Sequence, residues 1–340
     1  MNRRRFLRRG LATLVGTWLV PRIISRRALA APGRPGANDV LRIGLIGCGI
    51  RGKYLIGNLP PEGRVMAICD CYAPRMAGTL KPEAGSQNAR VLSQFLEHDA
   101  ARCATYRDYR RMLDEAALDA VIIATPDHHH VHAATLACQA GLDVYCEKPL
   151  TLTVTEGQRL IQAVRNHRRV LQVGSQQRSM EMDRFACQFV RDGKLGRVSH
   201  VELPIWASPL RYQGLPEEPL PEGMEWELFC GPTELRPYNW RLWQKDERNW
   251  EGKRWRGWDM WRDYSGHLVT NWGAHAVDMA QWALGMDASG PVEVEPLAGR
   301  ITADPRTCPM VARYATGTEL RMTGVKGLSA GGLFHGERGR

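Results

Sequence analysis

The stretch LRIGLIGCGIRG, residues 41–52, decides the fold of this 340-residue chain. Its first six residues form a short, largely apolar run that is typical of a buried strand. Gly47, Gly49 and Gly52 then form a G-x-G-x-x-G pattern, which permits a tight turn, close approach of a pyrophosphate, and a helix packed on the strand. The N-terminus of that helix would present free N–H groups to the phosphates. The stretch therefore predicts a dinucleotide-binding turn that includes Ile50 and Arg51.

A second apolar run, residues 65–69, ends at Asp70, about 20 residues after Gly49. An acid at this distance is where the ribose hydroxyls of a dinucleotide would be held. A carboxylate there would repel a 2′-phosphate, which favours NAD over NADP. Arg75 lies close enough in sequence to weaken this preference, so NADP remains open.

Strands and helices alternate along residues 41–173, and this order predicts a parallel, doubly wound α/β sheet. Ligands bind such sheets beyond the carboxyl ends of their strands. Lys148 follows the predicted strand at residues 143–146, so we expect it beside the nicotinamide half of the cofactor. We predict a Rossmann domain over residues 39–175 and a second α/β domain, which would hold the substrate, over residues 176–340.

The basic charge of the chain is concentrated at its N-terminus. Residues 1–30 hold eight arginines and no acid, against a formal net charge of +10 for the whole chain. The remainder is nearly neutral, which excludes a nucleic-acid partner. Arg3 and Arg4 belong to a segment that resembles the twin-arginine export motif, with an apolar run at 10–20 and an A-x-A cleavage site at 28–30.

We therefore predict a twin-arginine signal peptide at residues 1–30, recognised by the Tat export machinery, and a linker at residues 31–38. The apolar run is too short to span a bilayer, which takes about 20 helical residues. Arg26 and Arg27 close to the cleavage site are atypical, so an uncleaved membrane anchor stays open. The expected location is the periplasm, or another compartment reached through the Tat pathway.

Nine cysteines are scattered along the chain, mostly in apolar runs where cysteine acts as a small core residue. We expect neither a disulfide framework nor a metal site. The run His128-His129-His130-x-His132 suggests metal binding, but consecutive side chains in a turn point apart and no Cys or acid pattern completes a site. These histidines are expected to close the turn and line the nicotinamide pocket.

Four motifs follow one another along the chain: GCGIRG at 47–52, ATPDHHH at 124–130, EKPL at 147–150 and GHLVTNWGAHAVD at 266–278. With them, the chain from about Val40 onward resembles the glucose–fructose oxidoreductase, inositol dehydrogenase and MocA family (Gfo/Idh/MocA). The resemblance implies a Rossmann domain followed by an open, mostly antiparallel sheet that is often used for dimerisation, and hence a homo-oligomer. Family members usually continue beyond the region that matches residues 334–337, so we expect a C-terminally truncated second domain.

The resemblance also implies roles for several side chains. Lys148 would hydrogen-bond the reacting hydroxyl and stabilise a developing alkoxide, and His275 would act as the general base. Asn271, His275 and Asp278 share one face of a predicted helix, so Asp278 would be able to orient the imidazole. Many family members carry Asp at the position of Asn271, and an amide brings no negative charge. Altered, slow or absent activity therefore stays open.

The expected cofactor contacts come from the glycine turn, from the acid after the second strand and its neighbour, and from two later turns. They are Gly47, Gly49, Ile50, Arg51, Gly52, Asp70, Arg75, Thr125, Pro126, His130, Glu147 and Lys148. Arg178, Tyr264 and His267 are expected to bind substrate. The tryptophans between residues 206 and 282 either form core or offer flat faces to sugar rings.

Together these features predict an exported NAD(P)-dependent oxidoreductase that transfers hydride between a secondary hydroxyl carbon of a sugar or polyol and nicotinamide. Two alternatives remain: an NAD-dependent glycoside hydrolase that uses transient oxidation, and a cofactor-binding protein with little catalysis. The dehydrogenase-like loop at residues 147–149 favours the first. The signal segment together with QQR at 176–178 and WELFCGP at 226–232 resembles an exported branch of the family.

Overall fold

The computed structural model describes residues 36, 39–243, 249–250, 253–254, 257–297, 306–325 and 331–340. The predicted signal peptide and nearly all of the predicted linker lie outside the described residues. Within the described ranges, none of the helices combines the length and the apolar character that a membrane crossing requires.

The first half of the chain forms a six-stranded parallel sheet with the strand order β3-β2-β1-β4-β5-β6. Strands β2 and β3 lie on one side of β1, and β4, β5 and β6 lie on the other. This is the doubly wound arrangement that the alternating pattern predicts. The sequence-based expectation of a Rossmann sheet is therefore confirmed. The strands are β1 (Leu41–Ile46), β2 (Gly63–Cys69), β3 (Ala104–Tyr106), β4 (Ala120–Ile123), β5 (Asp143–Glu147) and β6 (Leu171–Gly174).

Helices connect these strands, and the start of one of them shows how side chains cap a helix N-terminus. Thr153 and Glu156 form a reciprocal capping box at the start of α7, which satisfies two backbone N–H groups that have no partner within the helix. The helices are α1 (Ile50–Gly57), α2 (Ala73–Leu80), α3 (Gln87–Val91), α4 (Ser93–His98), α5 (Tyr109–Glu115), α6 (His130–Gln139) and α7 (Val154–Asn166).

Both faces of this sheet are covered, because side chains alternate between the faces along each strand. Leu45 points into a cluster that includes Ile56 of α1 and Phe95 of α4. Ile46 points into the opposite cluster, where small residues such as Ala133 let α6 approach the strands. The apolar strands are thus buried on both sides, and their polar chemistry is confined to the strand ends.

The second half contains a five-stranded sheet with the order β10-β11-β12-β7-β13. Within the described ranges, β7 runs parallel to β12 and the other neighbours are antiparallel, so the predicted open, mostly antiparallel sheet is confirmed. Its strands are β7 (Val198–Leu203), β10 (Glu293–Pro296), β11 (Met310–Arg313), β12 (Glu319–Met322) and β13 (Leu333–Gly336), and β8 (Asn249–Trp250) and β9 (Lys253–Arg254) form a separate hairpin.

One face of this second sheet packs on helices α8 (Glu181–Arg191) and α10 (His267–Ala283). Val201 and Leu203 of β7 are buried in the same cluster as Ala276 and Ala280 of α10. A short helix, α9 (Trp226–Cys230), lies in the irregular region between β7 and α10. The sheet therefore fixes α10, which carries four of the predicted site residues, against the rest of the second half.

Most of the described tryptophans are core residues. Trp226, Trp243 and Trp261 are buried in one aromatic cluster with Phe229 and Tyr264. This packing supports the core alternative for these side chains. Trp258 packs against the same cluster and also lines a large cavity, so among the described tryptophans its ring is the one that a ligand in this cavity would meet.

Candidate functional site

A cavity of about 1050 Å³ lies at the carboxyl ends of the first sheet's strands, and both halves of the chain line it. The first half contributes the turn after β1, the residues after β2 and the turn after β5. The second half contributes Asn271 and His275 from α10 and a segment around α9. The cavity therefore lies where a doubly wound sheet binds its ligands.

The glycine turn after β1 has the form of a phosphate cradle. Gly47 has φ +97°, and a Cβ there would lie 2.6 Å from the carbonyl oxygen of Ala124. A Cβ on Gly52 would lie 2.1 Å from the carbonyl oxygen of Gly47, whereas one on Gly49 would meet no described atom within 4 Å. Gly49 faces the cavity and precedes α1, whose first N–H groups have no side-chain cap. Open space beside free N–H groups fits a pyrophosphate.

Asp70 lies at the end of β2 and is held firmly by the backbone. Its carboxylate accepts hydrogen bonds of 2.9 Å from the N–H groups of Cys48 and Tyr72. It lines the cavity where the second strand's acid is expected to meet a ribose. Arg75 lines the cavity too, with its guanidinium carbon 5.3 Å from the ring centre of Trp243. The acid and the arginine thus lie in one cavity.

Thr125 and Pro126, which follow β4, line the cavity, but His130 does not belong to its described lining. The ring of His130 is buried, with Nδ1 2.7 Å from the carbonyl oxygen of Pro149 and Nε2 3.1 Å from that of Thr125. Burial lowers the pKa of His130, so the ring is neutral near pH 7 and donates to one of these carbonyls. The side chain joins the turns after β4 and β5 from behind, which corrects its expected place beside the nicotinamide.

The neighbouring histidines hold the second half against the first. The Nε2 atoms of His128 and His129 each lie 2.8 Å from the carbonyl oxygen of Phe229, in α9. A Cβ on Gly231, which has φ +50°, would lie 2.2 Å from the ring of His129. These imidazoles therefore anchor the segment that forms one wall of the cavity.

Glu147 and Arg51 form an ion pair at the cavity wall. Arg51 Nε donates to Glu147 Oε1 at 2.6 Å, and the backbone N–H of Lys148 donates to Glu147 Oε2 at 3.2 Å. The Lys148–Pro149 peptide bond is cis. Glu147 is buried, so its charge is compensated by Arg51 while it fixes the start of the Lys148 turn.

Lys148 reaches across the cavity to α10. Its Nζ donates to Asn271 Oδ1 at 2.7 Å and to the carbonyl oxygen of Asn271 at 3.2 Å. Burial lowers the pKa of Lys148, while the charges of Asp127 and Glu147 oppose that shift. The ammonium is therefore positioned by an uncharged amide and is not neutralised by a direct ion pair among the described residues.

His275 lies one helical turn after Asn271 and lines the same cavity as Lys148. The ring is buried, and its Nδ1 finds no hydrogen-bond partner among the described residues. Burial first, and then the charge of Lys148, lower the pKa of His275 to about 4. The imidazole is therefore neutral near pH 7 and able to accept a proton.

Asp278 and Arg178 bind each other and do not belong to the described lining of the cavity. Arg178 makes a forked contact of 2.8–3.1 Å with Asp278, and Asp287 also pairs with it at 2.7 Å. Asp278 accepts a further hydrogen bond from Ser175. This corrects two expectations: Asp278 is engaged by Arg178 instead of orienting His275, and Arg178 is engaged by acids instead of substrate.

Tyr264 and His267 are also placed behind the cavity wall. Tyr264 is fully buried, and its ring centre lies 4.7 Å from that of His128. His267 is buried at the start of α10, with Nδ1 2.9 Å from the carbonyl oxygen of Asp259. Neither belongs to the described lining, so their expected contact with substrate is replaced by a supporting position.

The structure places at the cavity a buried acid to which the sequence analysis assigned no role. Asp127 is buried, lines the cavity and accepts a 2.8 Å hydrogen bond from Ser265 Oγ. Burial raises the pKa of Asp127 to about 7, although Ser265 and the charge of Lys148 oppose that rise. The acid lies within the ATPDHHH motif, yet only its burial reveals a titration near neutral pH.

These features define a two-domain protein with a dinucleotide-binding first half. A model of an oxidoreductase family with an NAD-binding Rossmann fold (Gfo/Idh/MocA) matches residues 41–175, and a model of that family's C-terminal alpha/beta domain matches residues 206–339. Together they cover most of the chain. The chain belongs to the Gfo/Idh/MocA oxidoreductase family, and its first half is an NAD-binding Rossmann domain.

This chain is similar to curated proteins over part of its length. Inositol 2-dehydrogenase 2 of Saccharopolyspora erythraea is 33% identical over 165 residues, which is 46% of this chain and 42% of the relative. A glycosyl hydrolase family 109 protein of Stenotrophomonas maltophilia is 28% identical over 226 residues, which is 62% of this chain and 45% of the relative. Both matches span less than half of the relative's length.

Solved structures share the fold at lower identity. The WlbA dehydrogenase of Bordetella pertussis, crystallised with NADH and UDP-GlcNAcA, has a TM-score of 0.58 and 19% identity, covering 89% of this chain and 73% of its own. Myo-inositol 2-dehydrogenase of Lactobacillus plantarum has a TM-score of 0.52 and 20% identity, covering 88% and 75%. At these identities the likeness establishes the fold.

Proposed function

We propose that the protein is an NAD(P)-dependent oxidoreductase that transfers hydride between a secondary hydroxyl carbon of a sugar or polyol and nicotinamide. One observation carries this proposal: the Lys148 ammonium and the His275 imidazole line the same cavity as the glycine cradle and Asp70. A dinucleotide held by the cradle would extend along the carboxyl ends of the strands toward Lys148.

Each of this chain's groups has a distinct task in the proposed reaction. When bound, the nicotinamide supplies the hydride acceptor. Lys148 donates a hydrogen bond to the reacting hydroxyl and stabilises the charge that develops on its oxygen. His275 accepts the hydroxyl proton, and its lowered pKa keeps the ring ready to do so. Asn271 holds the Lys148 ammonium on the α10 side of the cavity.

A carbohydrate substrate is supported by the second-half wall of the cavity. Trp258 offers an aromatic face, and Gln176 and Glu227 add polar groups that suit hydroxyls. The curated relatives include inositol 2-dehydrogenases, whose names refer to a cyclic polyol. We therefore infer a ring-shaped substrate with several hydroxyls. We also infer NAD in preference to NADP, because Asp70 follows the second strand and its carboxylate would repel a 2′-phosphate.

The experiment is a substrate screen with the full-length protein. Purified protein is incubated with NAD⁺ or NADP⁺ and a panel of cyclic polyols, sugars and glycosides, and reduced nicotinamide is followed by its absorbance. We expect reduction with at least one cyclic polyol or sugar. A complete lack of reduction by protein that binds the cofactor would contradict the proposal.

A second candidate is NAD-dependent glycoside hydrolysis through transient oxidation. The match to the family 109 glycosyl hydrolase covers more of this chain than the match to the inositol dehydrogenase. This coverage supports the second candidate. Release of a free sugar from a glycoside without net formation of NADH would decide in its favour. A third candidate, cofactor binding with little catalysis, follows from the neutral Asn271 in place of a carboxylate.

We also propose that the protein is exported through the Tat pathway and works outside the cytoplasm as a homo-oligomer. The support for export is the Arg3-Arg4 pair followed by a short apolar run and an A-x-A site. Replacement of both arginines by lysine is expected to retain the protein in the cytoplasm in cell fractionation. Light scattering on the purified protein tests the oligomer.

A further inference from the structure

We propose that His200, Glu202 and His335 form a binding site for one divalent transition-metal ion of the Zn²⁺ type, on the face of the second sheet that points away from α10. One ring nitrogen from each histidine and one carboxylate oxygen of Glu202 lie within 4.8 Å of one another. Neither the proposed oxidoreductase site nor the expectations from the sequence include these residues.

The backbone brings the three side chains together. His200 and Glu202 are two residues apart on β7, so they point to the same face, while Val201 and Leu203 point to the core. His335 of β13 is the direct register partner of His200. Because two paired strands supply all three ligands, the site needs no loop to form.

The side chains are already close to a coordinating arrangement. His335 Nε2 lies 3.1 Å from Glu202 Oε2, and the rings of His200 and His335 are stacked with centres 4.2 Å apart. Two ligand atoms of a tetrahedral zinc ion lie about 3.3 Å apart, given bonds of about 2.0–2.1 Å. The three ligand atoms therefore already lie near the spacing that one ion requires.

A supporting contact orients one of the two imidazoles. Ser199 Oγ lies 3.0 Å from His200 Nδ1, which leaves the Nε2 of that ring for an ion. Ligating histidines commonly use their second nitrogen for such an outer contact.

Glu202 differs from the other acids near the cluster in its ion-pair partner. Glu293, Glu295 and Glu319 pair with Arg313. Arg321, the register partner of Glu202, donates to Glu319 at 2.8 Å, which partly offsets its repulsion of a cation. Among the described residues, the ion-pair partner of Glu202 is a histidine, so this carboxylate can turn to a metal without breaking an arginine pair.

The donor set identifies the class of ion. Two imidazole nitrogens and one carboxylate oxygen suit Zn²⁺, Co²⁺, Ni²⁺ or Cu²⁺ better than Ca²⁺ or Mg²⁺, which prefer oxygen ligands. A fourth position would be left to water or to a group outside this set. A bound ion would tie β13, at one edge of the sheet, to β7, so its expected effect is to stabilise the C-terminal strand.

The test uses the full chain, freed of any histidine tag and kept reduced, with Co²⁺ and Zn²⁺ as probes. We expect one Co²⁺ per chain, with visible absorption bands of a tetrahedral N/O site, displaced by Zn²⁺. His335→Gln and Glu202→Gln should each weaken binding more than about tenfold. His98→Gln, at an exposed histidine in α4, is the matched control and should leave binding unchanged.

Three results would overturn the proposal. The first is failure of the wild-type chain to bind Co²⁺ or Zn²⁺ at micromolar concentrations. The second is binding that persists in both His335→Gln and Glu202→Gln while these variants still bind NAD⁺. The third is a Co²⁺ spectrum dominated by thiolate charge transfer, which would assign the ion to cysteines. Zn²⁺-dependent protection of the β13 amides from hydrogen exchange supports the site independently.

Discussion

Lys148 Nζ donates a 2.7 Å hydrogen bond to the side-chain oxygen of Asn271. The bond joins the turn after β5 to helix α10, so a group from the Rossmann half is positioned by the second half. A carboxylate at residue 271 would add an ion pair here, whereas the amide fixes the direction of the ammonium without neutralising it. The site thus keeps the Lys148 ammonium in a partly buried cavity, and this burial lowers the pKa of Lys148.

Replacement of Lys148 by Met should remove the hydrogen-bond donor from the reacting hydroxyl. We expect kcat to fall by about 10²–10³-fold, as for loss of one oxyanion donor, with a smaller effect on NAD⁺ binding, since Lys148 is one of several expected cofactor contacts. Steady-state kinetics and a fluorescence titration with NADH measure the two effects. Lys194→Met, at an exposed lysine, is the control. Equal activity of Lys148→Met and wild type would remove Lys148 from the mechanism.

Replacement of Asn271 by Asp should convert the contact with Lys148 into an ion pair. The added carboxylate would stabilise the charged forms of Lys148 and His275 and so raise the pKa of both groups. We expect kcat to rise on the order of tenfold, because one pKa unit corresponds to about tenfold in a proton equilibrium. Asn271→Ala should lower kcat, since it removes the contact. An unchanged kcat in Asn271→Asp would mean that the missing charge does not limit the reaction.

Replacement of His275 by Asn should lower kcat/KM by about 10²–10⁴-fold, the usual contribution of a general base. The pH profile of the wild type gives an independent check. Because burial and Lys148 lower the pKa of His275 to about 4, the ring stays neutral down to that pH. We therefore expect the acid limb that belongs to this residue near pH 4. An acid limb near pH 6.5 that disappears in His275→Asn would contradict the buried site.

Replacement of Asp127 by Asn should stabilise the cofactor-free protein at high pH. The folded pKa of about 7 lies above the unfolded value of about 3.9, so the stability contributed by the protonated carboxyl is lost as pH rises through this interval. An asparagine still accepts the Ser265 hydrogen bond and carries no charge. We expect a gain on the order of 4 kcal/mol in the free energy of unfolding at pH 8 relative to pH 4.

Urea unfolding at the two pH values measures this difference for Asp127→Asn and for a control, Asp114→Asn, at an exposed acid in α5. A stabilisation by Asp127→Asn that is equal at both pH values would show that Asp127 does not titrate in this range.

Replacement of Asp278 by Asn should act on stability more than on catalysis. The forked contact with Arg178 and the hydrogen bond from Ser175 join the end of the Rossmann half to α10. Loss of this charged contact is expected to lower the free energy of unfolding by about 1–2 kcal/mol, with kcat changed less than tenfold. Urea unfolding and kinetics measure both, with Arg184→Gln in α8 as the control. A loss of activity comparable to that of His275→Asn would return Asp278 to the catalytic group.

The sequence predicts the first half well because its signals are local. The apolar run before Gly47, the glycine spacing and Asp70 each depend on residues close along the chain, and the parallel sheet follows from the alternating pattern. Lys148 is predictable for the same reason, since it follows directly on a strand. The family resemblance adds His275, and the fold brings both side chains to one cavity.

The side chains that were misplaced depend on contacts between distant parts of the chain. Arg178 meets Asp278 100 residues away, and His128 meets Phe229 101 residues away. A motif shows which residue types are present but does not show whether a polar side chain faces a cavity or a partner. The same limit hid Asp127, whose pKa departs from the usual range through burial alone, and the pairing of His335 with Glu202 across strands.

Hydride transfer from the substrate to nicotinamide can be tested directly by isotopic labelling of the transferred hydrogen. The sugar or polyol that gives the fastest reduction of NAD⁺ is prepared with deuterium on its carbinol carbons, and the product NADH is analysed by mass spectrometry. We expect transfer of one deuterium to each NADH molecule, at a rate that falls by about 10²–10³-fold in Lys148→Met. NADH that carries no deuterium, or a rate that Lys148→Met leaves unchanged, would contradict this mechanism.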